Sequence, residues 1–182
     1  MRPPTAFDPP PSAWVARHVD SIRTGGRVLD LAAGGGRHTR LLLERGYTVV
    51  AADRDTAALE ATFGGDPGCR IVALDLENGE PWRLGDDYDG VVVTNYLYRP
   101  AFPDLVAALA PGGRLIYETF MVGNERFGKP SNPDFLLRPN ELVAAFAPHL
   151  TIIAFEQGIV RQPRPAAIQH LAAAKGDIIA LD

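Results

Sequence analysis

Short apolar runs alternate with amphipathic stretches along most of this chain. Arg27–Leu31, Tyr47–Ala52, Cys69–Leu74, Tyr88–Thr94 and Arg114–Phe120 are rich in Val, Ile, Leu or Ala and bounded by glycine, proline or charge. That is the mark of buried strands. Helical spacing fills the gaps. Ser12 caps a helix expected over Ala13–Arg23, with Trp14, Val15, Val19 and Ile22 on its apolar side. Arg37–Arg45 groups Leu41, Leu42 and Leu43 and stops at Gly46, and Thr56–Phe63 follows with Asp55 as its cap. Pro100 opens a helix to about Ala110, and Pro139 opens one to Ala147. Leu150–Gln157 and Ala166–Ala174 read as two more strands joined by the 161–165 loop. Strands alternating with helices predict an α/β fold on a mostly parallel sheet.

The candidate chemistry gathers in Arg27–Asp53, which reads as strand, glycine loop, helix and strand. Such a unit with glycines at its first turn binds nucleotides, because glycine admits a ligand close to the backbone and the helix start offers unpaired N–H groups. Two ligand classes compete. A dinucleotide turn needs G-x-G-x-x-G, and here Gly34 and Gly36 are followed by Thr39 where the last glycine belongs. Asp30 at the end of the first strand is unfavourable beside a pyrophosphate but suits the ammonium of an amino-acid moiety. Asp53, about 20 residues beyond the loop, suits the two hydroxyls of a ribose. A ligand with both ends is S-adenosylmethionine. Cys69–Leu74 also ends in an acid, Asp75, at the carboxyl edge where open α/β sheets bind ligands.

Composition narrows the class further. With 182 residues, 46% hydrophobic and 22% charged, the chain suits one globular domain. A net charge of −4 argues against nucleic acid as a partner, because phosphate binding calls for a basic face. Cys69 is alone, so neither a disulfide nor a cysteine-based metal site is expected. The first residues lack the apolar core of a signal peptide, and no run is long enough to span a membrane. A cytoplasmic location follows as an expectation.

The spacing Asp30-x-x-x-Gly34-x-Gly36, with Asp53, Asp75, Asn95 at a strand end and Pro111-Gly112-Gly113 before RLIYETF, resembles class I S-adenosylmethionine-dependent methyltransferases. The compact AGGGRHTR form looks most like their small bacterial, tellurite-resistance-type branch. Ala32 stands where the first glycine of that family is common. The resemblance covers roughly residues 12–175. It implies a Rossmann-like three-layer sandwich whose seven-stranded, mostly parallel sheet has the order 3-2-1-4-5-7-6 and one antiparallel strand. It also implies that Asp30, Ala32, Gly34, Gly36, Asp53, Arg54, Asp75, Leu76 and Asn95 line the cofactor site. In that pattern Asp75 takes the adenine amino group, and Leu76 supplies a backbone N–H and apolar contact.

The expected activity is direct in-line transfer of a methyl group to a small-molecule acceptor. A nicotinamide-dependent oxidoreductase and a non-catalytic cofactor-binding module are the alternatives. Asn95-Tyr96-Leu97-Tyr98 lacks the Asn/Asp-Pro-Pro-aromatic tetrad of enzymes that methylate planar amino groups of adenine or glutamine. On the acceptor side the candidates are Tyr96, Tyr98, Arg99, Asn124 and Arg126. The two tyrosines could stack on a sulfonium, and the arginines would suit an anionic substrate. The 121–138 stretch is a long loop at the active edge, read as substrate recognition with Glu125, Phe127, Lys129 and Asn132 among its contacts. His38, in the first helical turn after the glycine loop, reads as a surface residue, with a reach into the pocket as the alternative, and no general base or metal ligand is assigned. Residues 1–11 hold five prolines and form a leader or a lid carrying Phe7 and Asp8, and 12–182 form the single domain. Pro81-Trp82 is expected to cover the bottom of the sheet.

Overall fold

The central strands are apolar on both sides because helices cover both faces of the sheet they form. In the computed structural model, which describes residues 9–79 and 84–176, the strands are β1 Arg27–Leu31, β2 Thr48–Asp53, β3 Cys69–Ala73, β4 Tyr88–Thr94, β5 Leu109–Phe120, β6 Thr151–Val160 and β7 Ala166–Ala174. They lie in the order β3-β2-β1-β4-β5-β7-β6, as the resemblance implied. β1 to β5 pair in parallel, and β7 runs antiparallel to both β5 and β6.

Period-two alternation sorts the strand side chains onto two faces. Val28, Val49, Ala51, Val92 and Ile116 pack against α1 (Ala13–His18), α2 (Arg37–Glu44) and α3 (Ala57–Phe63) through Trp14, Leu42 and Phe63. Leu29, Val50, Val91, Val93, Leu115 and Tyr117 pack against α4 (Phe102–Ala108) and α5 (Glu141–Phe146) through Leu105, Leu142 and Phe146. Each fully buried aliphatic or aromatic side chain contributes roughly 1.5–3 kcal/mol, so these two layers supply the drive that fixes the sheet edge.

Element ends depart from the sequence reading where tertiary partners intervene. The first helix stops at His18 instead of Arg23 and passes into a 3-10 turn, Val19–Ser21, whose Val19 carbonyl accepts the Tyr47 hydroxyl at 2.9 Å. The Pro100 helix begins as a 3-10 turn, Arg99–Ala101, and ends at Ala108. There Leu109 already pairs with Tyr88, and the Pro111-Gly112-Gly113 turn becomes an irregularity inside β5. Lys175 Nζ donates to the Leu109 carbonyl at 2.7 Å and secures that early start. The last helix starts at Glu141 because Asn140 adopts a left-handed φ of 63° and exchanges hydrogen bonds with Gln157.

The 121–138 stretch is folded. It holds two 3-10 turns, Asn124–Arg126 and Pro133–Phe135, and a bridge from Met121 to Leu137. The expected lid residues Phe7 and Asp8, the Pro81-Trp82 cover and the tail beyond Gly176 lie outside the described residues. Among the described residues no helix is long and apolar enough to cross a membrane.

Candidate functional site

Register places the site. Ala52, Leu31, Val93 and Tyr117 are partners across β2, β1, β4 and β5. The residue after each therefore forms one row at the carboxyl edge: Asp53, Ala32, Thr94 and Glu118. The chain must reverse sharply after β1 to enter α2, and it does so through left-handed φ values of 54° at Ala32, 54° at Gly34 and 81° at Gly36. The Ala32 methyl makes that conformation less favourable than glycine would. Gly36 is required sterically as well. A Cβ there would fall 2.4 Å from Phe63 Cε2 and 2.9 Å from Leu59 Cδ2, so this glycine seats α3 against the loop.

Three of the loop N–H groups are committed to protein acceptors. Ala33 donates to the Ala52 carbonyl at 3.1 Å, Gly36 to the Ala33 carbonyl at 2.9 Å, and Gly34 to Asp53 Oδ2 at 2.7 Å. Asp53 Oδ1 accepts the Asp55 N–H at 3.0 Å. Asp53 thus ties β2 to the glycine loop. Each oxygen retains a further lone pair, and the residue lines a cavity of about 200 Å³.

Leu31, Ala32, Ala52, Asp53 and Arg54 form one side of this cavity, and Leu74, Asp75, Leu76 and Glu77 the other. Tyr96 completes the wall and donates its hydroxyl to Glu77 Oε1 at 3.3 Å. Burial, reinforced by the Glu77 charge, pushes the Tyr96 hydroxyl well above the usual phenol range, so it stays a donor at neutral pH. The Tyr96 carbonyl is held by the Tyr117 hydroxyl at 2.9 Å. Carboxylates at 53, 75 and 77 give the cleft an acidic lining. The size is that of one end of a nucleoside ligand, since pockets for whole ligands run roughly 300–1,000 Å³.

Not every expected cofactor residue reaches the cleft. Asp30 sits two rows beneath Asp53, 1% exposed, with Oδ2 accepting the Thr39 hydroxyl at 2.7 Å. It is not among the residues lining the cavity. Burial pushes its carboxyl up to about 6 despite Thr39. A raised folded-state value means that stability falls as pH climbs from the unfolded value of 3.8 through about 6. Asp30→Asn is accordingly expected to gain about 3 kcal/mol at pH 7 and almost nothing below about pH 3. Thermal melts across that window test it, and a variant less stable at pH 7 would show that the charge is needed. Gly36 acts on packing, as described above. Asn95 is exposed, takes a φ of 55° and donates its backbone N–H to the Glu118 carbonyl at 2.9 Å, which aims the chain over the edge.

His38 is a core residue, not the surface residue expected, being only 2% exposed. Its Nε2 accepts the Ser12 backbone N–H at 3.0 Å, and Nδ1 lies 3.2 Å from Thr94 Oγ1. An accepting Nε2 puts the proton of the neutral ring on Nδ1, facing Thr94. Burial and then Arg37 lower its pKa to about 4, so the ring is neutral. The reading by periodicity missed this because His38 lies in the first turn of α2, where a polar residue ordinarily faces solvent.

Among the acceptor-side candidates, Tyr96 and Tyr98 are half-buried at the end of β4. Arg99 is clamped: Nε and Nη2 fork onto Glu141 at 2.5 and 3.0 Å, and Nη1 and Nη2 donate to the carbonyls of Asp134 and Leu136. Asn124 is 1% exposed, donating Nδ2 to the Pro130 carbonyl at 2.9 Å and accepting the Ala167 N–H at 3.2 Å. These two residues hold the 121–138 segment against α5 and β7. Arg126 lies over the Phe127 ring at 5.9 Å.

A further group went unassigned as site residues in the sequence reading. Glu118 Oε2 accepts the Ser12 hydroxyl at 2.6 Å and lies 3.1 Å from His170 Nε2. His170 Nδ1 is 3.6 Å from Glu156, which pairs with Arg17 at 2.9 Å. Trp14 stacks on the His170 ring with centroids 4.8 Å apart. Burial would raise the Glu118 carboxyl, but His170 and Ser12 outweigh it and hold it below the usual carboxylate range. The signal in the sequence was an acid on the same strand face as Ile116, where an apolar residue would be expected.

No family model matches the chain. An uncharacterized methyltransferase of Mycobacterium bovis is 39% identical over 94 residues, which cover 49% of this chain and 37% of that protein. A protein-L-isoaspartate O-methyltransferase of Methanoculleus marisnigri is 33% identical over 110 residues, 57% of this chain and 48% of that protein. The matched stretch is thus less than half the length of either relative. Among solved structures, TehB from Haemophilus influenzae superposes with a TM-score of 0.72 at 18% identity, over 89% of this chain and 61% of that one. The 1,6-didemethyltoxoflavin-N1-methyltransferase of Burkholderia thailandensis, bound to S-adenosylhomocysteine, does so with a TM-score of 0.66 at 21% identity, over 91% and 77%. With its strand order, glycine loop and acid-lined edge, the chain has the fold of the class I S-adenosylmethionine-dependent methyltransferases.

Proposed function

We propose that this protein is an S-adenosylmethionine-dependent methyltransferase acting on a small molecule. The observation that carries the reading is the hydrogen bond from Gly34 to Asp53. The loop N–H that would cradle a phosphate is already engaged by a carboxylate, and a diphosphate above it would face the charge of Asp53. A ribose is suited instead, since its hydroxyls donate to the free lone pairs of Asp53. Asp75 and Leu76 stand at the far side of the cleft, where an adenine would lie. The relatives named as methyltransferases and the neighbour bound to S-adenosylhomocysteine support the same ligand. The likeness to that 1,6-didemethyltoxoflavin-N1-methyltransferase favours a small-molecule acceptor.

The methyl sulfonium is an activated donor, so the chain's own residues need only align donor and acceptor near 3–3.5 Å and exclude water. Asp53 would hold the ribose and Tyr96 would roof the cleft, its ring available to the sulfonium at roughly 0.5–2 kcal/mol. In calorimetry and thermal melts, S-adenosylmethionine and S-adenosylhomocysteine are expected to bind and stabilise the protein, and NADH is not. Stabilisation by NADH alone would defeat the reading.

A further inference from the structure

We propose that Glu118 receives the methyl acceptor and that the acceptor is a neutral nitrogen nucleophile, an amine or ring nitrogen bearing an N–H. The inference rests on the methyltransferase reading above and names the substrate class of that site.

Position comes first. Glu118 shares the edge row with Asp53, three strand spacings away, which is about 14 Å. That span holds, end to end, a hydrogen bond to a ribose, the bonds from ribose to sulfur, a methyl, and a near-attack contact of about 3–3.5 Å. The side chain is 13% exposed. Oε2 accepts the Ser12 hydroxyl and lies 3.1 Å from His170 Nε2, while among the described residues Oε1 has no hydrogen-bond partner. The carboxylate is therefore fixed in direction by one oxygen and offers the other.

Charge decides the acceptor. Of the two arginines read as suited to an anion, Arg99 is held by Glu141 and Arg126 lies over the Phe127 ring. Arg37, whose charge reaches Glu118, donates to the Pro10 carbonyl and lowers the carboxyl together with His170 and Ser12. In the transfer the S–CH₃ bond breaks with its electron pair left on sulfur, which becomes a neutral thioether. The nitrogen lone pair forms the new C–N bond, and the positive charge moves from sulfur to nitrogen. Glu118 accepts the N–H and stabilises that charge as it arrives; the proton leaves to water after release, so no strong base is needed. An anionic oxygen nucleophile would instead be repelled by the same carboxylate.

The test uses the full chain with labelled S-adenosylmethionine and a panel of weakly basic aryl and ring amines, uncharged at the assay pH, beside matched carboxylic acids, phenols and thiols. Turnover is expected with amines, falling at least 100-fold in kcat/KM in Glu118→Gln while the Kd for S-adenosylmethionine stays within twofold. The glutamine oxygen still accepts the Ser12 hydroxyl, so the loss does not report a detached α1, and a melt of the variant verifies that. Transfer confined to oxygen or sulfur acceptors, no transfer to any amine by cofactor-bound protein, or amine turnover indifferent to Glu118→Gln each overturns the inference. Failure to bind S-adenosylmethionine at all would instead strike the methyltransferase reading.

Discussion

Gly36→Ala is expected to cost about 3 kcal/mol of stability, the largest loss from adding a single methyl group in the cofactor loop. Two physical terms add. The residue holds a φ of 81°, where an L side chain is disfavoured by roughly 1–2 kcal/mol. The new Cβ would stand 2.4 Å from the Phe63 ring, an overlap that forces α3 outward, and overpacking of a core site costs about 1–3 kcal/mol. For a chain of this length the melting temperature should fall by about 6–12 °C. Gly34→Ala supplies the contrast, because a Cβ there meets nothing within 4 Å and only the conformational term applies. The two alanine variants melting together would mean that Phe63 does not lean on the loop. Phe63→Leu in the Gly36→Ala background should recover part of the loss, a coupling that a double-mutant cycle reads directly.

Asp53→Ala is expected to weaken S-adenosylhomocysteine binding by roughly 1.5–3 kcal/mol, or 10- to 100-fold, from lost charge-assisted hydrogen bonds. The carboxylate serves two partners at once. It would accept the ribose hydroxyls, and it already holds the N–H groups of Gly34 and Asp55. Its removal therefore also frees the loop that shapes the cavity floor. Asp53→Asn separates the roles, since one amide oxygen can keep the Gly34 tether while the second acceptor becomes a donor. Its affinity should lie between wild type and alanine. An unchanged Kd in calorimetry for the alanine variant would remove Asp53 from the binding site.

These two residues illustrate how differently a site can be written into a chain. Asp53 was legible because it ends an apolar run after a glycine turn, and that spacing alone places it on the carboxyl edge. Gly36 was legible as a loop glycine, but its reason was not: the clash is with Phe63, on the next helix. Asp30 shows the limit of end-of-strand logic. It stands one residue before the end of β1, so alternation turns it into the face beneath α2 and onto Thr39. Arg99 and Asn124 had the right chemistry for a ligand and lie in the right region, yet both are occupied by Glu141 and by backbone groups of the 121–138 segment and β7.

By itself the sequence determined the strand and helix series, the two-sided burial of the central strands and the nucleotide-binding turn between β1 and α2. These depend on periodicity and turn chemistry, which act between residues a few positions apart. The tertiary structure decided which polar groups meet. Register alone sets Thr94 beside Glu118 and Glu118 beside His170, and the docking of α1 brings Ser12 to both Glu118 and His38. Those partners are separated by 24 to 106 positions in the chain, so no local pattern could have announced them. A buried polar group is costly without a hydrogen bond, and for Ser12, His38 and Glu118 only the assembled sheet offers the partners.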